Sequence, residues 1–196
     1  MIHIIRIANR FLTSNTFLIS CGSSLDFWLV DVGDFEKVLY QLPKKAKIQG
    51  VFLTHTHFDH IYGINEMNKV FPNCRVFVSK YGEEALFSAK KNFSYYYESP
   101  IIYGGQNIQV LCEGDSVELY PSVNMKVYET PGHCPSCLSY EVENNFFSGD
   151  SFIPGEKVVS KLPLGDKAKA QLSLHRILSL SEGMKVYPGH GQIVQR

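Results

Sequence analysis

The stretch "IQGVFLTHTHFDHIYG", residues 48–63, passes from a mostly apolar run into three histidines and an aspartate. His55, His57, Asp59 and His60 fall within six positions, although the whole chain has 7 histidines. The apolar run predicts a buried strand. Because side chains alternate along an extended chain, His55 and His57 point the same way, and a turn at residues 58–60 would bring the other two toward them. The pattern therefore predicts a ligand or catalytic site where a core strand ends.

The alternative is that these polar residues cover the exposed face of an edge strand. Three later segments argue against it, because each repeats the same arrangement of a strand-like run, a glycine-containing turn and one candidate ligand. "NMKVYETPGHC" carries His133, "NNFFSGDSF" carries Asp150 and "MKVYPGHGQ" carries His190. The two remaining histidines, His3 and His175, lie inside apolar periodic segments, so we predict that they are packing or surface residues.

Imidazole nitrogen and carboxylate oxygen are ligands that suit zinc, iron and manganese. Seven protein ligands are too many for one catalytic ion, which keeps a position open for water. We therefore predict two ions, the first bound by His55, His57 and His133, the second by Asp59, His60 and His190, with Asp150 bridging. Two cations lower the pKa of the water between them and polarise a carbonyl or phosphoryl group, so the ligand set predicts a hydrolase. Zinc is the first choice, and iron or manganese would also fit.

The order of these candidate ligands along the chain carries a family resemblance. The motif at residues 55–60, followed by His133, Asp150 and His190, resembles the metallo-β-lactamase superfamily and specifically its glyoxalase II-like branch. "WLVDVG", residues 28–33, resembles the early Asp-x-Gly turn of the family, which implies that Asp31 supports the metal site from behind the ligands. "TPGH", "FSGD" and "YPGHG" resemble its later turns. The resemblance implies an α/β fold, a four-layer αββα sandwich with the metals at one edge of two sheets.

The hydrophobic pattern agrees with such a fold. Helical stretches are predicted at residues 34–42, with Asp34 as a possible cap, around residues 62–71, at 81–92 and at 166–180. The other periodic segments are strand-like and outnumber the helices, which favours an α/β sandwich over a bundle. No linker, low-complexity tract or repeat divides the chain, so we expect a single domain over residues 1–196.

Composition argues against several classes of partner. The formal net charge is zero, so strong electrostatic binding of nucleic acid is not expected. The N-terminal residues lack the apolar core and cleavage site of a signal peptide, and no segment has transmembrane length. We expect a cytoplasmic protein that acts on a small molecule without nucleic acid or membrane partners, and the oligomeric state stays open.

The chain has 5 cysteines, an odd number that argues against a disulfide framework. Cys134 and Cys137 form "CPSC" directly after His133. A redox pair normally opens a helix, whereas a strand-like run follows this one, so small side chains in a tight turn are the preferred interpretation. A redox role for the pair stays open.

A glyoxalase II-like thioesterase is the function that the resemblance favours. From the ligand set we expect a metal-bridging hydroxide, oriented by Asp59, to attack the substrate carbonyl. A lactone or small phosphodiester hydrolase is the alternative, and an iron-dependent redox enzyme such as a persulfide dioxygenase is less favoured. A β-lactamase is disfavoured because Asp150 does not match the branches with cysteine or serine there. A non-catalytic metal-binding protein is the rival from another class, but structural zinc sites are closed and often cysteine-rich.

The substrate-binding residues cannot be named from the sequence. Hydroxyacylglutathione hydrolases use a C-terminal helical domain for glutathione, and six residues follow His190 here. We therefore expect loops over the metals to contact the substrate. The candidates are residues 92–105, which include Tyr95, Tyr96 and Tyr97 in a row, and residues 151–166. The tyrosine cluster is equally compatible with a packed surface loop or a dimer contact.

Overall fold

Two six-stranded mixed sheets face each other in the computed structural model, which describes residues 1–196. The first sheet has the order β1-β2-β3-β4-β5-β6, with antiparallel pairing from β1 to β3 and parallel pairing from β3 to β6. Its strands are Ile2–Ala8, Asn15–Cys21, Asp26–Val30, Lys47–Phe52, Arg75–Val78 and Ile108–Val110.

The second sheet has the order β12-β11-β10-β9-β8-β7. Its strands, from β7 to β12, are Ser116–Tyr120, Val123–Glu129, Leu138–Val142, Asn145–Gly149, Lys185–Pro188 and Val194–Gln195. Only β10 and β11 are parallel neighbours in this sheet. Five helices accompany the sheets: α1 Phe35–Gln41, α2 Phe58–Ile61, α3 Ile64–Val70, α4 Lys80–Leu86 and α5 Lys167–Leu180. None of them is long and apolar enough to cross a membrane.

Alternation along the strands produces the layers. In β3, Trp28 faces the core between the two sheets, whereas its neighbour Leu29 faces the core under helices α1 to α4. Helix α5 covers the other sheet, where Ile177 packs with Phe146 and Val186 in a small third core. The predicted α/β sandwich of four layers is confirmed. It forms because successive side chains of a strand point to opposite faces of the sheet, and apolar residues on both faces are buried.

The metal-ligand candidates all follow strands that end at the same edge. β3 and β4 run parallel in the first sheet, and β10 and β11 run parallel in the second, so the segments after them emerge together. Backbone hydrogen bonds join the sheets there, from Leu138 N to Thr54 O at 2.7 Å and from Asn15 N to Gly189 O at 2.7 Å. The edge that carries the polar turns is therefore closed by hydrogen bonds between the two sheets.

Two details differ from the predicted elements. Helix α4 ends at Leu86, whereas the pattern predicted helix up to residue 92, because the chain turns there to form a loop. Asp34 does precede α1, but its side chain makes no cap hydrogen bond. Its carboxylate instead accepts from Tyr62 Oη at 2.8 Å and from Arg10 N at 2.8 Å, and it pairs with Lys37 Nζ at 2.8 Å. Asp34 thus joins α1 to the segments around it.

Asp34 makes the free energy of unfolding depend on pH in the acidic range. Burial opposes its ionisation, but hydrogen bonds from Lys37, Tyr62 and Arg10 outweigh burial and lower the pKa of Asp34 to about 2. A depressed folded-state pKa contributes stability above the unfolded value, which is lost as the pH falls through the folded one. We expect Asp34→Asn to cost about 2 kcal/mol of unfolding free energy near neutral pH, and this difference from wild type to shrink between pH 4 and pH 2.

Urea unfolding of wild type and variant across that range measures the difference. Glu182→Gln, an exposed carboxylate in a loop, is the control and should show no such change. A deficit in the Asp34 variant that stays constant down to pH 2 would contradict the assignment.

Candidate metal centre

The seven predicted ligands meet at the closed edge of the two sheets. The chain leaves β4, passes through His55 and His57 in extended form, and then turns through helix α2, which carries Asp59 and His60. The possible ligand atoms fall into three sets of three, and within each set the atoms lie within 4.8 Å of one another. The first set is His55, His57 and His133, and the second is Asp59, His60 and His190. A third set, His55, His60 and Asp150, connects them. The first two sets match the predicted division between two ions. That these residues bind ions stays a prediction.

The second set has the spacing expected of metal ligands. His60 Nε2 lies 3.3 Å from His190 Nε2 and 3.4 Å from Asp59 Oδ2, and His190 Nε2 lies 3.3 Å from the same oxygen. A tetrahedral ion with bonds near 2.1 Å separates its ligand atoms by about 3.4 Å. These three atoms therefore fit one face of a coordination tetrahedron.

Asp150 lies between the two sets. Its Oδ1 is 3.6 Å from His60 Nε2, and its Oδ2 is 3.5 Å from His190 Nε2 and 3.6 Å from His133 Nε2. In the first set, His133 Nε2 is 2.9 Å from His57 Nδ1. One carboxylate thus reaches ligands of both sets, which is the placement that the predicted bridging role requires.

Asp31 and Thr54 orient two of the histidines. Asp31 has a left-handed backbone, with φ at 56°, and its carboxylate accepts from Thr54 N at 2.7 Å, Thr54 Oγ1 at 2.7 Å and His60 Nδ1 at 2.9 Å. Because the Thr54 hydroxyl donates to Asp31, it is left to accept from His55 Nδ1, which lies 3.2 Å away. Both rings then turn Nε2 toward the centre. Thr54 was not predicted from the sequence.

Backbone carbonyls orient two further histidines. His133 Nδ1 donates to Val159 O at 2.7 Å, and His190 Nδ1 donates to Leu12 O at 3.0 Å. Each ring therefore also turns its Nε2 atom inward. A metal-ligating histidine usually donates its other ring N–H in this way, which fixes the tautomer. Sequence reasoning could not find Leu12 and Val159, since any residue type supplies a carbonyl.

Several buried polar atoms at this centre have no hydrogen-bond partner within the protein. They include His55 Nε2 and Asp150 Oδ1. Leaving such groups unpaired is costly, and each is a donor atom to a cation. The residues present therefore fit the two divalent cations that the ligand pattern predicts.

The charges at the centre also favour a cation. Burial, with the neighbouring His60 and His57, lowers the pKa of His55 well below its ordinary value, so this ring is neutral. Burial acts the same way on His60, but Asp59, Asp150 and Asp31 outweigh it and raise the pKa of His60 to about 9. Carboxylates likewise overcome burial and raise the pKa of His190 to about 10. The excess of negative charge attracts either protons or metal ions, so the two compete.

The cysteine pair lies behind His133 in a tight turn. Cys134 and Cys137 are both buried free thiols, with Sγ atoms 3.4 Å apart, and Cys134 Sγ lies 3.0 Å from Ser136 Oγ. Burial raises the pKa of the Cys137 thiol. The pair packs as small side chains do in a turn, and its redox role stays a prediction. His3 and His175, by contrast, are exposed and lie outside the ligand groups.

A cavity of about 530 Å³ opens onto the centre. Both predicted loops contribute to it, Tyr96 and Tyr97 from the first and Val159, Leu162 and Pro163 from the second, although Tyr95 does not. The remaining lining residues are Leu12, His57, Phe58, Asp59, Phe93, His133, Asp150 and His190. Phe93 also belongs to the predicted loop of residues 92–105. Leu12 was not predicted, because its place in the wall depends on how the chain turns.

The chain belongs to the metallo-β-lactamase superfamily. The family model described as "Metallo-beta-lactamase superfamily" matches residues 10–190. Among curated proteins, glyoxylase B2 of Dictyostelium discoideum is 29% identical over 163 residues, covering 80% of this chain and 54% of that protein. Hydroxyacylglutathione hydrolase of Tolumonas auensis is 26% identical over 165 residues, covering 83% and 56%. The chain spans about half the length of the curated relatives it matches.

Solved structures agree with this assignment. The BLEG-1 B3 metallo-beta-lactamase superposes with a TM-score of 0.88 at 25% identity, covering 100% of this chain and 94% of that one. TTHA1623 in a di-iron-bound form superposes with a TM-score of 0.81 at 25% identity, covering 97% and 94%. The family predicted from the ligand motif is thereby confirmed.

His133→Ala tests the division of the ligands. We expect this variant to bind one metal ion fewer than wild type, because it removes one ligand of the first set and leaves the second set whole. Elemental analysis of the purified proteins measures the content, and His175→Ala, an exposed histidine on α5, is the control. Unchanged metal content in the His133 variant would contradict the division.

Proposed function

We propose that this protein is a metal-dependent hydrolase with a binuclear site, zinc being the first choice of metal, and that it cleaves thioesters. One observation carries the proposal. A single cavity is lined by His57 and His133 of the first ligand set, by Asp59 and His190 of the second, and by Asp150 between them. A substrate in this cavity would meet both sets at once. The volume of about 530 Å³ is within the range of small-molecule sites.

The position of each residue determines its role in the proposed reaction. The two cations, held by the sets described above, would lower the pKa of water and polarise the substrate carbonyl. Asp59 lines the cavity, and although burial opposes its ionisation, His60 and His190 lower the pKa of Asp59, so it is a carboxylate at neutral pH. It can orient the attacking water and accept its proton. Water adds its oxygen to the acyl carbon, the C–S bond breaks, and the leaving thiolate takes up the proton.

The choice of thioesters rests on the relatives, not on the ligand set. Two of the curated proteins described above are named glyoxylase B2 and hydroxyacylglutathione hydrolase. The same ligand set would also cleave a lactone or a small phosphodiester, which is the alternative. Because the chain superposes on the BLEG-1 B3 metallo-beta-lactamase, β-lactams are also tested as substrates. The structure is also similar to ETHE1 from Myxococcus xanthus, but at 21% identity this similarity shows only a shared fold.

The test combines metal content with turnover in one preparation. The purified protein is analysed for metals and then assayed with an acyl-glutathione thioester, a neutral acyl thioester, an acyl-homoserine lactone, a chromogenic phosphodiester and a chromogenic β-lactam. About two metal ions per chain with thioester turnover, abolished by a chelator and restored by zinc, is the expected result. Turnover of only one of the other substrates would move the function to that class. One iron per chain with oxygen consumption would refute the proposal that the protein is a hydrolase.

A further inference from the structure

Aromatic rings in mutual contact form one wall of the cavity. Phe58 and Tyr97 both line the cavity, with ring centroids 4.0 Å apart. Phe11 packs edge-on behind them, 5.0 Å from Phe58 and 5.3 Å from Tyr97. Because the three rings come from different segments and contact one another, this wall is apolar and held in place from behind.

Phe93 closes the cavity next to the first ligand set. Its ring centroid lies 4.8 Å from that of His57, and its backbone is left-handed, with φ at 63° and ψ at 5°. This conformation is strained for an aromatic residue and persists only where the surroundings hold it. The buried Asn92 holds it here, donating to Ala85 O at 3.1 Å and accepting from Ser94 N at 3.0 Å. The loop is thus anchored so that Phe93 faces the cavity.

No lysine or arginine lines the cavity. Its third side consists of Val159, Leu162 and Pro163, and apart from the phenols of Tyr96 and Tyr97 its ionisable groups are the candidate metal ligands. The nearest lysines of the same loop, Lys157 and Lys161, line a neighbouring groove against α5. A substrate carboxylate held against these walls, away from the metal ions, would lose water and meet no cationic side chain.

We infer that the cavity takes an uncharged, apolar substrate group, such as a medium alkyl chain or an aromatic ring, and discriminates against carboxylate-bearing groups such as glutathione. This inference rests on the proposed thioester hydrolysis and names the substrate class of that site. Each methylene that the walls bury strengthens binding about fourfold, whereas a carboxylate that loses water without a partner weakens it.

Non-hydrolysable thioethers separate binding from turnover. The metal-loaded protein is titrated by calorimetry with S-methyl and S-hexyl N-acetylcysteamine and with S-methyl and S-hexyl glutathione. We expect S-hexyl N-acetylcysteamine to bind about tenfold or more tightly than its S-methyl counterpart and than S-hexyl glutathione. Equal binding of the methyl and hexyl compounds, tighter binding of the glutathione compounds, or no binding of any of the four would overturn the inference. A protein that binds as expected but hydrolyses no thioester would refute the proposed function alone.

Two leucines provide a matched pair of variants. Leu162→Lys places a cation in the cavity wall, whereas Leu172→Lys places one on the exposed face of α5, away from the cavity. We expect only the first to weaken S-hexyl N-acetylcysteamine, about tenfold, and to strengthen S-hexyl glutathione. Leu162 is partly exposed, so the substitution should not impair folding. Phe93→Ala should reduce the preference for hexyl over methyl with metal content unchanged. Identical effects of the two lysine variants would overturn the inference.

Discussion

Asp59→Asn is expected to lower kcat/KM for a thioester by about a thousandfold, because it removes the carboxylate that orients water in the cavity. Asparagine keeps the size of the side chain but cannot accept the proton. Asp59 Oδ2 also lies 3.4 Å from His60 Nε2. A fall in metal content in this variant would therefore show that the second ligand set is disturbed. Steady-state kinetics, elemental analysis and thermal unfolding on the same preparation measure the three effects separately.

The control is Glu98→Gln, which removes a carboxylate from the exposed part of the loop over the cavity. It should leave kcat/KM unchanged. An Asp59 variant that keeps full activity would refute a catalytic role. An inactive variant with normal metal content would support that role, whereas loss of activity in proportion to loss of metal would reduce Asp59 to a ligand.

Gly189→Ala is expected to lower kcat/KM by about a hundredfold or more, because it displaces Asp150, the predicted bridging aspartate. A Cβ at this position would lie 2.1 Å from Asp150 Oδ1 and 3.0 Å from His60 Cε1. The φ of Gly189 is outside the left-handed region, so the backbone itself accepts alanine. The methyl group must therefore displace the carboxylate that reaches both ligand sets. Metal content and kcat/KM are the measurements, and both should fall.

Gly191→Ala, two residues later in the same loop, is the matched control. No atom lies within 4 Å of its Cβ, but its φ is +77°, so alanine is strained there. We expect this variant to lose about 1 kcal/mol of stability and to keep its metal. If Gly189→Ala retained metal and activity, the close approach of this turn to Asp150 would have no functional meaning.

The sequence alone determined the fold class and the ligand cluster because both depend on local patterns. The apolar run before His55 predicted a buried strand, and glycine turns after strands predicted where polar side chains would emerge. The four-layer sandwich came from the family resemblance. The resemblance carried by residues 55–60, with His133, Asp150 and His190, led to the superfamily that the comparisons confirm. Seven ligands of these types within separate strand-end turns left few arrangements other than one shared edge.

Only the tertiary structure decided what surrounds those ligands. The hydroxyl of Thr54 and the carbonyls of Leu12 and Val159 orient three histidines, and none of them has a recognisable sequence signal. Asp34, predicted as a helix cap, instead binds Arg10 and Tyr62 from segments distant in sequence. The physical reason is the same throughout. A strand or a turn is specified by neighbours along the chain, whereas a hydrogen-bond partner or a cavity wall is specified by whichever segment the packing of the two sheets brings alongside.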